Sequence, residues 1–176
     1  NMKKNGAYEV KDPAVISQLV ELVTKEGKSP KTEFVGKSAK YILDKIGITV
    51  GDDVKVILME AKEDHPFVQV ELMMPILPLV RVPDVDQAIE MAVRGEHGNG
   101  HTAMMHSRNV EKLTKMAKLI QTTIFVKNGP SYAGIGVGGE GYTTFTIAGP
   151  TGEGLTSAKS FARRRRCVLV GGMDVR

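Results

Sequence analysis

Residues 54–61, VKVILMEA, form a near-continuous apolar run rich in β-branched side chains, and this run constrains the fold more than any other feature of the chain. A strand apolar on both faces has to be covered on both faces. That requirement points to a parallel sheet flanked by helices and away from a half-exposed antiparallel one. MPILPLVRV (74–82) reads as a second such run: Pro75 and Pro78 make it irregular, yet Leu77, Val80 and Val82 still read extended. HTAMMHS (101–107) and TTIFVKN (122–128) are two further short strands.

The segments between these runs carry helical spacing. Asp84 caps a helix whose Val85, Ala88, Ile89, Ala92 and Val93 make one apolar stripe, and Asn109 caps another with Val110, Leu113, Ala117 and Ile120 inward. Upstream, Asp12-Pro13 opens a helix with a capping carboxylate and a proline at its first position, and Gly27 to Pro30 stops it. A shorter helix carries Ala39, Ile42, Leu43 and Ile46 and ends at Gly47. Strand, helix, strand, helix, strand in this order spells parallel β-α-β units. The expected class is α/β, a parallel sheet flanked by helices.

After Asn128 the pattern changes. GPSYAGIGVGGEG has no period and reads as a long ordered loop. YTTFTI (142–147) alternates like a half-exposed strand, and CVLVGG after the arginine run reads as a last strand. Residues 142–176 hold too few apolar groups for a core of their own, so this tail is expected to pack on something else, as a β arm beside a main domain at 1–141.

Charge and cysteine content narrow the function classes. The net charge is +4, and four of the positive charges are one run, Arg163 to Arg166, leaving the rest near neutral. A nucleic-acid partner is therefore not expected, since such binders spread a larger basic footprint. The run reads as a solvated face or an ion-pair surface for a partner chain. Cys167 is the one cysteine, which excludes an intramolecular disulfide and a multi-cysteine zinc site and fits a reducing compartment. No apolar run approaches the ~18 residues of a membrane span, and the first ten residues lack the apolar core of a signal peptide. A soluble, cytoplasmic chain is the expectation.

Several motifs fail on context. Gly134, Gly136 and Gly139 spell the dinucleotide fingerprint, but EGYTTFTI follows where a helix should open. GPTGEGLT (149–156) resembles a phosphate loop with Leu155 in the lysine position, although Thr156 suits a helix cap after Gly154. His97, His101 and His106 lack the rigid face that zinc ligands need, so no metal is expected. Cys167 reads as an inert thiol in a buried strand, and Met73, Met74, Met104 and Met105 as core gap-fillers. Glu71, just before the kink Leu72-Met73-Met74-Pro75, could accept hydrogen bonds from ligand hydroxyls, but on these grounds alone it reads as a surface residue.

At HPFVQVELMMPILP, and again at QTTIFVKNGPSYAGIGVGGEGYTTFTIAGPTGEG, the chain resembles the aldehyde dehydrogenase superfamily. The similarity is to its CoA-acylating branch, the acetaldehyde and propionaldehyde dehydrogenases of ethanolamine and propanediol utilisation. VGKSAKYI, HTAMMHS and FARRRRCVLV belong to the same pattern, so the resemblance runs from about Gly36 to the end. It implies an NAD-dependent enzyme that converts a short-chain aldehyde to an acyl-CoA through a cysteine thioester, with coenzyme A as co-substrate. It further implies that Glu71 binds the nicotinamide ribose hydroxyls, that Met73 lies where the family puts a large side chain against the nicotinamide ring, and that Pro75 belongs to the same cofactor-binding segment. Asn128, Ile135 and Gly136 match the wall of the aldehyde tunnel, and the tail matches the strands of dimer and tetramer contacts.

The resemblance places the family's nucleophilic cysteine and its NAD domain upstream of this chain, and Cys167 does not match that cysteine. The expectation is thus a partial catalytic domain at 1–141 with an oligomerisation tail at 142–176, inactive by itself and with no catalytic residue of its own. Its setting is the cytoplasm, or within it a bacterial microcompartment. The alternative is a non-catalytic α/β module that binds small molecules or scaffolds. A reading frame that continues upstream into a cysteine-bearing segment distinguishes the two.

Overall fold

A computed structural model describes residues 1–141, 143, 154, 156–168 and 170–171. The chain divides into two compact units, Asn1–Met91 and one that begins at Ala92, with the boundary inside a helix.

The first unit is built on β1 (Ala7–Val10), α1 (Pro13–Val23), a two-residue hairpin of β2 (Thr24–Lys25) and β3 (Ser29–Pro30), α2 (Ala39–Asp44), β4 (Val56–Glu60), α3 (Pro66–Gln69) and β5 (Ile76–Leu79). Its main sheet has the order β1-β4-β5, parallel throughout, with Ala7 opposite Val56 and Ile57 opposite Ile76. The central strand β4 buries Ile57, Leu58 and Met59 in succession, so its two faces are both covered, as its apolar run requires. Leu19 and Val23 of α1, Ile42 and Leu43 of α2, and Ile57 of β4 are fully enclosed and share one core with Phe34, Phe67, Leu72 and Ile76. Each such side chain contributes about 1.5–3 kcal/mol of burial.

Local signals set the helix ends. The Asp12 carboxylate accepts from the Ala14 N–H (2.9 Å) ahead of Pro13, and the Ser38 hydroxyl accepts from the Tyr41 N–H (3.2 Å). At the far end of α1 the buried Thr24 hydroxyl donates to the Val20 carbonyl (2.6 Å) and accepts from the Gly27 N–H (3.0 Å), so that hydroxyl is satisfied in both roles. The strand β1, the small hairpin and α3 have no counterpart in the sequence reading. β1 is four residues with Tyr8 and Glu9 inside it, and only pairing with β4 makes it a strand.

From the unit boundary onward come the rest of α4 (Val85–Gly95), β6 (Thr102–Met105), α5 (Val110–Ile120) and β7 (Ile124–Lys127). The Asn109 carboxamide caps α5 by accepting from the Lys112 N–H (3.0 Å). β6 and β7 pair in parallel, Thr102 opposite Ile124, across the crossover that α5 makes. The parallel β-α-β pairing follows the sequence reading, distributed over two parallel sheets among the described residues.

Four expectations need correcting. Val110, expected to face inward from α5, is exposed, and the helix buries Leu113, Met116 and Ile120. Cys167 is exposed, and among the described residues of CVLVGG there is no strand; Val168 and Val170 stand open to solvent. A strand exists only by pairing, and no described segment pairs with this one. Thr156 is buried but caps no helix: a single 3₁₀ turn, Ala158–Phe161, is closed by a reciprocal Ser157–Ser160 capping box. Met73 and Met104 are exposed, not core gap-fillers. YTTFTI, apart from Thr143, lies outside the described residues.

Candidate functional site

The segment Glu71–Pro75 is short, irregular and firmly held. Leu72 is buried in the core of the first unit, and Met74 packs partly against the same core. The Met73 carbonyl accepts from the Gly36 N–H (3.0 Å), and the Pro75 carbonyl accepts from the Ile57 N–H of β4 (2.8 Å). The Ile76 N–H reaches back to the Met74 carbonyl (2.8 Å), a three-residue turn centred on Pro75. Within this frame Met73 adopts φ +53°, a left-handed conformation that non-glycine residues adopt rarely and that persists only where surroundings impose it.

The consequence is a display surface. With Leu72 turned inward, Glu71 and Met73 are both exposed, Met73 by 56%. This explains why Met73 fills no core gap: the left-handed turn ejects its side chain. Among the described residues the Glu71 carboxylate makes no ion pair or hydrogen bond, so its acceptor positions are open to an external donor. An uncommitted carboxylate beside a soft, polarisable thioether suits a ligand that carries hydroxyl groups and a flat ring. These acceptor and apolar groups fit the hydroxyls and ring of the nicotinamide riboside moiety that the resemblance implies.

The second cluster begins at the C-terminal end of β7. Asn128 has φ +57°, its N–H donates to the Met105 carbonyl (2.9 Å), and its carboxamide binds Ser107 in both directions: Oδ1 accepts from the Ser107 N–H (2.8 Å) and Nδ2 donates to the Ser107 carbonyl (2.9 Å). A 3₁₀ turn, Ser131–Ile135, then lies against β7, and Gly136 ends it at φ +98°. At Gly134 a side chain would collide with Ile124, and at Gly141 one would collide with the backbone of Gly134. The Val137 N–H donates to the Tyr132 carbonyl (3.0 Å) and the Gly141 N–H to the Ala133 carbonyl (3.2 Å). The G-x-G-x-x-G spacing thus serves a loop folded on itself beside a strand, and among the described residues no α-helix follows its third glycine. Ile135 is half-buried and Gly136 exposed. Glu71, Met73 and Pro75 therefore form one cluster in the first unit, and Asn128, Ile135 and Gly136 form another in the second.

Among the described residues the histidines make no hydrogen bond with the residues of either cluster, although His106 lies between Met105 and Ser107, the two residues that Asn128 binds. His97 is an exposed left-handed residue after α4, His101 Nδ1 lies 2.7 Å from the Thr102 hydroxyl, and His106 is exposed after β6. Among the described residues no group of three His, Cys, Asp or Glu could hold a metal, and no helix is long and apolar enough to cross a membrane. His65 escaped the sequence reading. Its Nδ1 accepts from the Phe67 N–H (3.1 Å), its ring meets Phe67 edge-on at 5.2 Å, and burial holds its pKa below the usual value while Asp64 opposes this more weakly. It borders an open cleft of about 630 Å³ with Ile16, Ser17, Met59 and Lys62 at the C-terminal end of β4. The His-Pro pair ahead of an apolar turn was the available signal.

Comparison with known proteins places these clusters in context. The pattern described as "Aldehyde dehydrogenase family" matches residues 54–152, more than half of the chain. A propanal dehydrogenase (CoA-propanoylating) of Salmonella typhimurium is 51% identical over 165 residues, 93% of this chain and 35% of that protein. The chain thus spans about a third of the length of the curated relatives it matches. Propionaldehyde dehydrogenase of Rhodopseudomonas palustris, solved with bound CoA and an acylated cysteine, is 71% identical with a TM-score of 0.90, over 96% of this chain and 38% of that one. An engineered glycolyl-CoA reductase with bound NADP+ matches at the same identity, TM-score and coverage. A propionaldehyde dehydrogenase from the Clostridium phytofermentans fucose utilisation bacterial microcompartment is 46% identical with a TM-score of 0.86, over 99% of this chain and 40% of that one.

Proposed function

We infer, from the premise that this chain belongs to the aldehyde dehydrogenase family, that it contributes the cofactor-facing and aldehyde-facing segments of an NAD-dependent, CoA-acylating aldehyde dehydrogenase. The reaction is oxidation of a short-chain aldehyde to its acyl-CoA through a cysteine thioester, with coenzyme A as the acyl acceptor. The carrying observation is the pinned display of Glu71 and Met73, an open carboxylate and an exposed thioether on either side of a buried Leu72.

Bound NAD supplies the hydride acceptor. Glu71 accepts hydrogen bonds from two ribose hydroxyls and so orients the ring. Met73 offers apolar, polarisable surface to the ring face. Pro75, through its carbonyl bond to Ile57, keeps both residues in place. Asn128, Ile135 and Gly136 belong to the wall of the aldehyde tunnel. Hydride transfer is sensitive to sub-ångström placement, so rigidity here has kinetic value.

The proposal extends to the organisation of the chain and its setting. Residues 1–141 form a portion of the catalytic domain, and residues 142–176 act as a self-association tail leading to dimers or tetramers. The exposed Phe161, Val168 and Val170 around the arginine run support that role. The cytoplasm, or a bacterial microcompartment within it, is the setting, and the relative from the fucose utilisation microcompartment supports it.

The test is Glu71→Gln in the full-length protein, followed by single-turnover NADH formation with propionaldehyde. An amide offers one acceptor oxygen in place of two, and a lost charge-assisted bond costs about 1.5–3 kcal/mol, or roughly 10- to 100-fold in rate. Because Glu71 is exposed and makes no ion pair or hydrogen bond among the described residues, the melting temperature should stay within about 1–2 °C. Wild-type single-turnover rates in the variant return Glu71 to an ordinary surface residue.

A further inference from the structure

At Asn128 the chain leaves the β6–β7 sheet, and the residue that leaves keeps hold of it. The parallel register ends at Met105 opposite Lys127, and the Asn128 N–H adds one more rung by donating to the Met105 carbonyl (2.9 Å). The backbone then turns away at φ +57°. From that point the carboxamide takes over as a surrogate peptide group: it accepts from the Ser107 N–H (2.8 Å) and donates to the Ser107 carbonyl (2.9 Å), both groups of the residue that a continuing strand would have paired. Both polar ends of the Asn128 side chain are therefore committed to the protein.

We propose that Asn128 is a positioning residue: its carboxamide fastens the start of the glycine-rich loop 129–141 to the end of β6, and this clasp sets the aldehyde preference of the tunnel. The proposal rests on reading that loop as the tunnel wall. Asn128 suits both demands, since asparagine tolerates the left-handed region better than most residues and carries a donor and an acceptor in peptide-like geometry. The next fixed points of the loop depend on where it starts: Gly134 is seated against Ile124 and Gly136 ends the 3₁₀ turn. A launch direction loosened at Asn128 shifts the Ile135–Gly136 wall, while the carboxamide that is lost has both polar ends turned to Ser107.

Two variants separate backbone from side chain. Asn128→Gly keeps the left-handed backbone and deletes the clasp. Asn128→Asp keeps an acceptor for the Ser107 N–H and sets a carboxylate against the Ser107 carbonyl. Amide hydrogen exchange is measured on the chain itself, and kcat/KM for acetaldehyde and propionaldehyde in the full-length protein. In Asn128→Gly, exchange should quicken at Ser107 and across the loop, and the ratio of the two kcat/KM values should move by about fivefold or more, within the range that small misfits of a pocket produce. Asn128→Asp should fall between the wild type and Asn128→Gly in both readouts. Faster exchange with an unchanged ratio overturns the proposal, and so does an equal loss for both aldehydes with exchange unchanged, which would make Asn128 a direct substrate contact. A wild-type protein without aldehyde turnover removes the functional reading instead. The exchange result then decides the clasp alone, and unchanged protection at Ser107 overturns it.

Discussion

The Asp64-His65-Pro66 corner shows how much one side chain can bind to the fold. His65 Nδ1 can accept from the Phe67 N–H only while it is unprotonated, and burial disfavours the charged ring as well. Its folded pKa therefore lies below the usual 6.5. As pH falls through that value the unfolded chain takes up the proton first, so stability is full above it and declines towards the folded pKa. Replacing His65 with Asn keeps an oxygen to cap the turn and removes the titration. The expected outcome is a smaller drop in melting temperature between pH 7.5 and pH 5 for His65→Asn than for the wild type. Equal drops would show that other groups govern the acid response. At this scale the sequence showed residue types but seldom their situation. The resemblance singled out both Glu71 and Met73, but the residues alone read Met73 as a core gap-filler, because its exposure depends on a left-handed turn held by Gly36, remote in sequence.

Elements were more legible, and the glycines show where the reading stops. Gly95 ends α4, and no atom lies within 4 Å of where a side chain would begin, so Gly95→Ala should stabilise by about 0.5–1 kcal/mol through reduced freedom of the unfolded chain. Gly134 sits against Ile124, and Gly134→Ala should destabilise by about 1–3 kcal/mol through overpacking. Urea midpoints moving in opposite directions are the expected result; a Gly134→Ala midpoint at or above the wild type would mean the loop does not rest on β7. In sequence both are simply glycines. The helix caps at Asp12 and Asn109 were read from the sequence, since a cap and the N–H it binds are at most three residues apart.

For the whole molecule the open question is what covers the tail. Phe161, Val168 and Val170 are exposed by 64%, 69% and 91%, and Arg163 to Arg166 run between them. Apolar groups left open on a segment without a ladder partner favour association. If residues 142–176 are the self-association tail, the chain should run as a homodimer at tens of micromolar, with an interface above ~1,200 Å². A chain ending at Gly141 should run as a monomer. Light scattering after size exclusion reads both: a monomeric full chain refutes the arm, and a dimeric truncated chain moves the contact to the sheets or helices.

The sequence by itself determined the class of fold, the capped starts of α1 and α5, and the parallel sense of the main strands, but the helix faces only in part, since Val110 stands exposed. Each of these is encoded within a few residues, by 3.6-residue periodicity, capping groups and two-sided apolar runs such as VKVILMEA. Tertiary structure alone decided that Ala7–Val10 is a strand, that Met73 faces outward, that the loop carrying Gly134, Gly136 and Gly139 packs on β7, and that Asn128 clasps Ser107. All four depend on a partner outside the local window: β4 for β1, Gly36 for Met73, β7 for the loop, and for Asn128 a residue 21 positions back. Pairings at that separation are chosen by which surfaces can be buried together, and a local pattern carries no record of that choice.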